Sequence, residues 1–340
     1  MSNHLPLETI VEDTLVPHQA FNSATSRLNQ CFTYSTSKRE PICLAIVGES
    51  RTGKSRLLEE FIDKHPMSRD EDGMNIPILK VTAPSKPTVK SLAEIMLEAM
   101  LDELPGTGSE AQKTRRLARL MKECGTLMIV IDEFQHFVDK ASDRVIHDAA
   151  DWLKSLVDGT RCVLVVAGLP SSVGILTQNE QFKGRFYAPV HMPRFDWAID
   201  KHRDEFIAIL GAFHESMSRY FNLPQLDNSE MAFRCYCGTG GLIGYLTKFL
   251  RQVVWNAIDS NKQAITLADF AIAQEQAIYQ EENCTDIVNP FSRSFRPFPN
   301  EILLTQAHSI GKAVELPPKP RQRGPRSSKR MSSRDALSAS

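Results

Sequence analysis

The sequence has no apolar segment close to the roughly 20 residues that cross a bilayer. Its start, MSNHLPLETIVEDTL, contains acidic residues and lacks the basic segment and apolar core of a secretory signal. Its seven cysteines are an odd number scattered over 340 residues, which is not the pattern of a disulfide framework. These absences predict a cytoplasmic protein without a membrane partner.

Specialised binding motifs are also scarce. Cys235 and Cys237 are the only closely spaced cysteines, and no second Cys or His pair lies near them at zinc-ligand spacing. We therefore expect the cysteines to be apolar core residues. No helix-turn-helix or zinc-finger pattern is present, which argues against base-specific recognition of DNA.

The composition that is present is that of a globular chain, with 42% hydrophobic and 24% charged residues. The length predicts one large or two moderate domains. The net charge of −1 conceals a basic segment, because Pro317 to Arg334 contains seven basic residues and no acidic one. This segment is rich in Pro, Ser and Gly, so we expect it to be disordered. It is either a solubilising segment or a flexible arm that binds a polyanion, with DNA as the first candidate.

Between residues 41 and 195, apolar segments of strand length alternate with segments of helical spacing. Their continuous apolar character is typical of strands buried on both faces of a parallel sheet. The alternation predicts an α/β fold in which crossover helices connect the parallel strands. The predicted strands are Ile42–Gly48, Ile76–Pro84, Leu127–Phe134 and Cys162–Pro170.

After Arg194 the strand-like segments stop and only helical spacing continues. We therefore divide the chain into an N-terminal segment (1–40), an α/β domain (41–195), a smaller all-helical domain (196–282) and a C-terminal extension (283–340), basic and disordered from about 317. The helices predicted in the third part are Trp197–Tyr220, Asn228–Tyr236, Gly241–Ile258 and Leu267–Gln280.

A phosphate-binding loop follows the first strand, because Gly48–Ser55 matches the pattern G-x-x-x-x-G-K-[ST] with a strand before it and a helix after it. Two glycines let the backbone fold around an anion, and the helix N-terminus favours negative charge. Lys54 can reach the β- and γ-phosphates, and Ser55 can bind magnesium. The residues expected to bind the nucleotide here are Gly48, Glu49, Ser50, Arg51, Thr52, Gly53, Lys54, Ser55 and Arg56.

Two acids at the end of the third strand complete the predicted site. Ligands bind at the carboxyl ends of strands in open α/β sheets, so Asp132 and Glu133 lie where the phosphates are expected. Asp132 is predicted to hold magnesium with Ser55, and Glu133 to polarise the attacking water as a general base. No guanine-recognising N-K-x-D string is present, which favours ATP over GTP as the nucleotide.

Five strings together resemble one family of AAA+ ATPases. GESRTGKS, VIDEFQHF, VVAGLP, GRFYAPVHMPRF and GTGGLIGYLTKFLR are similar to the TniB/TnsC group, the ATP-dependent regulators of bacterial DNA transposition. The resemblance covers roughly residues 14–280, and the last three strings carry it. It implies an AAA+ fold with a helical lid, and ATP-dependent rings or filaments on duplex DNA. It also implies that the protein links a target-selection protein to a transposase.

The resemblance also implies roles for individual residues. Arg185 corresponds to the arginine finger that reaches the γ-phosphate held by a neighbouring subunit, with Arg194 as the runner-up. The segment formed by Val16, Pro17 and His18 would line the adenine pocket. A surface arginine and a loop histidine are the plainer interpretations of these residues.

Two expected features of AAA+ ATPases are missing. The helix after Gly244 carries no arginine in the family's second sensor motif, where the nearest cations are Lys248 and Arg251. The fourth strand ends in Ala-Gly-Leu at 167–169 and offers no polar sensor residue before Ser171. These departures predict slow hydrolysis that acts as a switch.

For a DNA-facing surface, the sequence offers five cations near two predicted helix starts. Contacts of this kind are electrostatic and independent of base sequence. A solvated helix face is the alternative interpretation of such a cluster. The candidate DNA contacts are Lys86, Lys90, Lys113, Arg115 and Arg116.

Two other functions remain open at this point. A relative of replication initiators or helicase loaders would need a dedicated DNA-recognising domain after residue 280, for which the basic tail is short. A P-loop kinase of a small molecule would carry its acceptor site within the α/β body, so the long helical half fits it poorly.

Overall fold

In a computed structural model, the described residues are 7–37, 40–71, 73–139, 143–174, 183–278 and 288–312. Met1–Ile310 form one compact unit and Gly311–Ser340 a second. The predicted basic arm from about residue 317 lies outside the described residues. Within the described ranges, no helix is both long and apolar enough to span a bilayer.

A parallel sheet forms the centre of the first unit, with strand order β4-β5-β6-β1-β7. Every residue of β1, β5 and β6 is buried, which explains why the sequence shows them as continuous apolar segments. The predicted α/β fold is thereby confirmed. A short antiparallel pair, β2 with β3, lies apart from this sheet. The strands are β1 Cys43–Val47, β2 Ser68–Asp70, β3 Gly73–Asn75, β4 Ile78–Thr82, β5 Met128–Asp132, β6 Val163–Gly168 and β7 Val190–His191.

Helices cover both faces of the sheet because alternate strand residues point in opposite directions. Leu44 and Ile46 of β1 pack with helices α2 and α3, whereas Cys43, Ala45 and Val47 pack with α4, α5 and α7 on the other face. The helices of this part are α2 Gln19–Ser35, α3 Lys54–Asp63, α4 Val89–Ala99, α5 Glu110–Glu123, α6 His136–Asp139 and α7 Asp143–Thr160.

A layer of helices with its own hydrophobic core follows the sheet. This core also includes Ile10 and Val11 of the short helix α1, and Phe291 and Phe295 from the predicted C-terminal extension. The ring of Phe291 lies 4.9 Å from that of Phe249, centre to centre. The helices are α1 Ile10–Asp13, α8 Asp200–Met217, α9 Ser229–Thr239, α10 Ile243–Asp259, α11 Leu267–Ala277 and α12 Glu301–Ser309.

The cysteines of the helical layer are core residues, as expected. Cys235 and Cys237 are buried, and burial raises the pKa of the Cys237 thiol to about 12. In the described part of the chain, no cluster of three or more His, Cys, Asp or Glu side chains could hold a metal ion.

Candidate nucleotide-binding site

Strand β1 leads directly into the phosphate loop, and α3 begins where the loop ends. At Gly48, a Cβ atom would lie 2.2 Å from the carbonyl oxygen of Met192 and 2.8 Å from the Thr52 hydroxyl, so only glycine fits. Gly53 has a φ of 95°, in the left-handed region that glycine adopts readily, just before α3 starts at Lys54. The sequence thus forms a tight turn into a helix N-terminus, the arrangement that binds anions.

The Lys54 side chain is buried inside this loop. Its ammonium donates hydrogen bonds to the carbonyl oxygens of Gly48 at 2.9 Å and Glu49 at 2.7 Å. Burial lowers the pKa of this amine, although the carboxylates of Glu133, Asp132 and Glu49 oppose the shift. Because hydrogen bonds between charged partners are stronger than those to neutral carbonyls, a phosphate is a better acceptor for this ammonium.

Asp132 ends β5 beside the phosphate loop. Its Oδ2 accepts a hydrogen bond from the Ser55 hydroxyl at 2.7 Å, and its Oδ1 accepts one from the Glu133 amide at 2.8 Å. A hydroxyl and a carboxylate oxygen at this separation suit Mg²⁺, which takes oxygen ligands and is bound by few protein groups beside phosphates. The structure therefore brings together the two residues predicted as magnesium ligands.

Glu133 lies at the turn after β5, with a φ of 53° that is uncommon for a residue with a side chain. Its carboxylate Oε2 accepts a hydrogen bond from Nε2 of Gln135. The other end of that amide, Gln135 Oε1, accepts the backbone N–H of Leu169 at 3.2 Å. Sequence reasoning missed Gln135, although an amide two residues after the candidate base is a visible signal.

A cavity of about 270 Å³ adjoins the end of the phosphate loop at Thr52 and Gly53. The structure places Val16 and His18 in its wall, whereas Pro17 is not one of its lining residues. Burial lowers the pKa of His18, reinforced by His202 and opposed by Glu205, so the imidazole is neutral near pH 7. The helical layer closes the cavity with Ile209 and Phe213 of α8 and with Ile243, Gly244 and Thr247 of α10.

The phosphate loop also contacts the helical layer directly. The amide of Gly244, in the first turn of α10, donates to the carbonyl oxygen of Arg51 at 2.8 Å. A Cβ at Gly244 would lie 3.1 Å from that same oxygen. The Arg51 guanidinium lies over the Tyr245 ring, 5.6 Å from its centre. The loop and the first turn of α10 are therefore in direct contact, so a displacement of one must displace or break contacts with the other.

Arg194 joins three parts of the chain with a buried side chain. Its Nε donates to both carboxylate oxygens of Glu49, at 3.1 and 3.0 Å, and its Nη2 donates to Oε2 as well. Its remaining N–H groups donate to three backbone carbonyl oxygens, those of Gly240, His308 and Ile310. Since all five N–H groups are used within the subunit, Arg194 is unsuited to the arginine-finger role for which it was the runner-up.

Comparison with known proteins identifies the family to which the chain belongs. The profile of the bacterial TniB protein matches residues 7–197, more than half of the chain. The chain belongs to the TniB family. The matched region includes the phosphate loop, Asp132 and Glu133, and Arg194. A search of curated proteins found no match.

Solved structures show that the TniB-family chain has the AAA+ P-loop fold. The Aeropyrum pernix ORC2 protein, solved in ADPNP–ADP complexes, has a TM-score of 0.58 at 12% identity, over 82% of this chain and 74% of that one. Cdc6p from Pyrobaculum aerophilum has a TM-score of 0.59 at 11% identity, over 83% and 74%. The Aeropyrum pernix ORC1 protein, solved in complex with DNA, has a TM-score of 0.56 at 16% identity, over 79% and 69%.

Arg185 of this TniB-family chain lies at the start of β1, whereas the phosphate loop follows the end of that strand. Its carbonyl oxygen accepts the Cys43 amide at 2.9 Å. Its guanidinium pairs with Asp158 at 2.8 Å and with Glu40 at 3.5 Å. The role predicted for Arg185 concerns the nucleotide of a neighbouring subunit, so it stays a prediction.

The candidate DNA contacts differ in how far their side chains are exposed. Lys86, Lys90 and Arg115 are exposed. Arg116 is partly buried and pairs with Asp102 at 2.7 Å. Lys113 is fully buried, donates to the Pro105 carbonyl oxygen at 2.6 Å and pairs with Glu94 of α4 at 3.1 Å. The prediction of a DNA contact at Lys113 is therefore wrong, because its ammonium joins α5 to α4 inside the protein.

We expect Lys113→Ala to lower the free energy of unfolding by about 2–4 kcal/mol, because it leaves a cavity and removes the cation that pairs with Glu94. Arg115→Ala, an exposed neighbour on the same helix, should change it by less than about 0.5 kcal/mol. Urea unfolding followed by circular dichroism measures both. Equal stability of the two variants would show that the buried pair contributes nothing.

Proposed function

We propose that this TniB-family chain is an ATP-dependent regulator of bacterial DNA transposition. It oligomerises on duplex target DNA and links a target-selection protein to the transposase. Family membership supports the biological setting. The observation that carries the nucleotide dependence is the phosphate loop, with Lys54 buried inside it and Ser55 in contact with Asp132.

The residues of the loop have separate tasks in ATP hydrolysis. The loop amides and Lys54 bind the β- and γ-phosphates, and the adjoining cavity takes the adenine and ribose. Ser55 and Asp132 would hold Mg²⁺, which would neutralise charge on the phosphates. Glu133 orients the attacking water and accepts its proton. Arg185 is proposed to approach the γ-phosphate of the next subunit, so that hydrolysis depends on assembly.

DNA binding is proposed to be independent of base sequence. Lys86, Lys90 and Arg115 are exposed cations that could meet the phosphate backbone. A replication-initiator relative would need a DNA-recognising domain after residue 280. In residues 288–312 the structure has one helix, α12, and its Ala307 packs into the helical core. Helix α12 therefore belongs to the helical layer.

ATPase rate and particle size, measured with and without duplex DNA, test the proposal. We expect slow turnover by the free protein, and large particles together with faster turnover when ATP and DNA are both present. A protein that stays monomeric on DNA with a non-hydrolysable ATP analogue would contradict the proposal. Release of ADP only after a small acceptor molecule is added would indicate a P-loop kinase.

A further inference from the structure

The end of β6 has no room for the polar sensor residue that AAA+ ATPases usually carry there. At Gly168, a Cβ atom would lie 2.7 Å from Oε1 of Gln135 and 2.5 Å from the Ser172 hydroxyl. Gly168 is also part of the nucleotide site, since its carbonyl oxygen accepts the amide of Gly48 at 3.2 Å. The side chain of Gln135 therefore occupies the space into which a residue at 168 would project.

The hydrogen bonds of Gln135 fix the direction of its amide. The backbone N–H of Leu169 can only donate, so the atom facing it at 3.2 Å must be the amide oxygen. The carboxylate of Glu133 can only accept when ionised, so the NH₂ group must face it. Gln135 is buried, which keeps water from competing for these bonds. The amide thus joins the candidate base to the end of β6 in one orientation.

We propose that Gln135 is the positioning residue for Glu133 and supplies the polar side chain that β6 lacks. Its Nε2 holds Oε2 of the carboxylate, which leaves Oε1 to accept a hydrogen bond from the attacking water. The Phe134 amide donates to the Ala167 carbonyl oxygen at 2.9 Å, so the turn that carries both residues is attached to the same strand end. This inference rests on the proposed ATP hydrolysis with Glu133 as the base.

The buried hydroxyl of Ser172 is a second polar group beside Gly168, next to the Gln135 amide. Ser172 is 1% exposed, and its Oγ has no hydrogen-bond partner among the described residues. It lies beside the same Gly168 position as the Gln135 oxygen. The Ser172 hydroxyl and the Gln135 amide oxygen thus place two polar groups beside Gly168.

The test is the Gln135→Met variant, which keeps the length of the side chain and removes its donor and acceptor. We expect kcat for ATP hydrolysis to fall about 10- to 100-fold, since a misplacement of about 1 Å costs that much. The Kd for ATP should stay within about twofold, because the proposed phosphate ligands are untouched. In a Glu133→Gln background the same change should have no further effect on kcat, because the carboxylate that it positions is already absent.

Unchanged kcat in Gln135→Met, a faster rate, or an equal loss in the Glu133→Gln background would overturn the inference. If Gln135→Met does not fold, Gln135→Asn replaces it. Its side chain stays polar but is one methylene shorter and cannot reach both Leu169 and Glu133, so the same loss of kcat is expected. The proposed function fails separately, by absent hydrolysis in the wild type or by normal turnover in Glu133→Gln, and in either case the inference falls with it.

Discussion

Replacement of Glu133 with glutamine is expected to lower kcat for ATP hydrolysis by about 10²- to 10⁴-fold, the usual contribution of a general base. Glutamine has nearly the same size but cannot accept a proton from the attacking water. Nucleotide affinity should change little, because Lys54, Ser55 and the loop amides remain. With ATP bound and hydrolysis slowed, the assembled state on DNA should persist.

The matched control for this variant is Glu123→Gln, an exposed acid at the end of α5 that pairs with Arg119 at 3.6 Å. It should hydrolyse ATP at a rate close to that of the wild type. Single-turnover kinetics and particle size on DNA measure the two expected effects. Normal turnover by Glu133→Gln would remove this residue from the base role and direct attention to Asp132.

Lys54→Ala should lower the affinity for ATP by at least about 100-fold, which corresponds to about 2.7 kcal/mol. The variant loses the charged donor to the β- and γ-phosphates, and each hydrogen bond to a charged group contributes about 1.5–3 kcal/mol. Titration of a fluorescent ATP analogue measures the Kd. The matched control is Lys64→Ala, an exposed lysine just after the end of α3.

Circular dichroism of the free Lys54→Ala protein shows whether the variant is folded. We expect it to be folded, since burial disfavours the charged form of this lysine and the alanine removes that cost. Wild-type affinity for ATP in a folded Lys54→Ala variant would place the nucleotide somewhere other than in the loop at 48–55.

The long strands of the sheet were predictable because they are buried on both faces. A polar residue at such a position would put an unpaired polar group in the core, so these strands appear in the sequence as apolar segments. The edge strand β7 was not predicted, because Val190–His191 is only two residues long and depends on pairing with β1. The β2–β3 pair was not predicted, because all three residues of β2 are exposed and give no apolar pattern. A strand can be recognised in a sequence when its buried residues form an apolar pattern, and β2, β3 and β7 have few buried residues.

In the candidate site, too, some features could be predicted from the sequence and others could not. Lys54, Ser55 and the pair Asp132–Glu133 could be predicted, because local motifs carry their chemistry. The bond between Arg194 and Glu49 could not, because its partners lie 145 positions apart and no local pattern joins them. Lys113 was assigned to the surface because a helix start rich in cations is usually solvated, and its sequence neighbours do not reveal the contact with α4.

Arg194 also has a consequence for how related sequences can diverge. A change at Glu49 alone would leave a buried cation without its counter-charge, and a change at Arg194 alone would leave three backbone carbonyls without a donor. Gly240 is constrained as well, because its φ is 63° and a Cβ there would lie 2.6 Å from the Ala307 carbonyl oxygen and 3.3 Å from Nη1 of Arg194. We therefore expect positions 49 and 194 to change together in related sequences, and a chimaera joined between them to fold only when both parents have the pair.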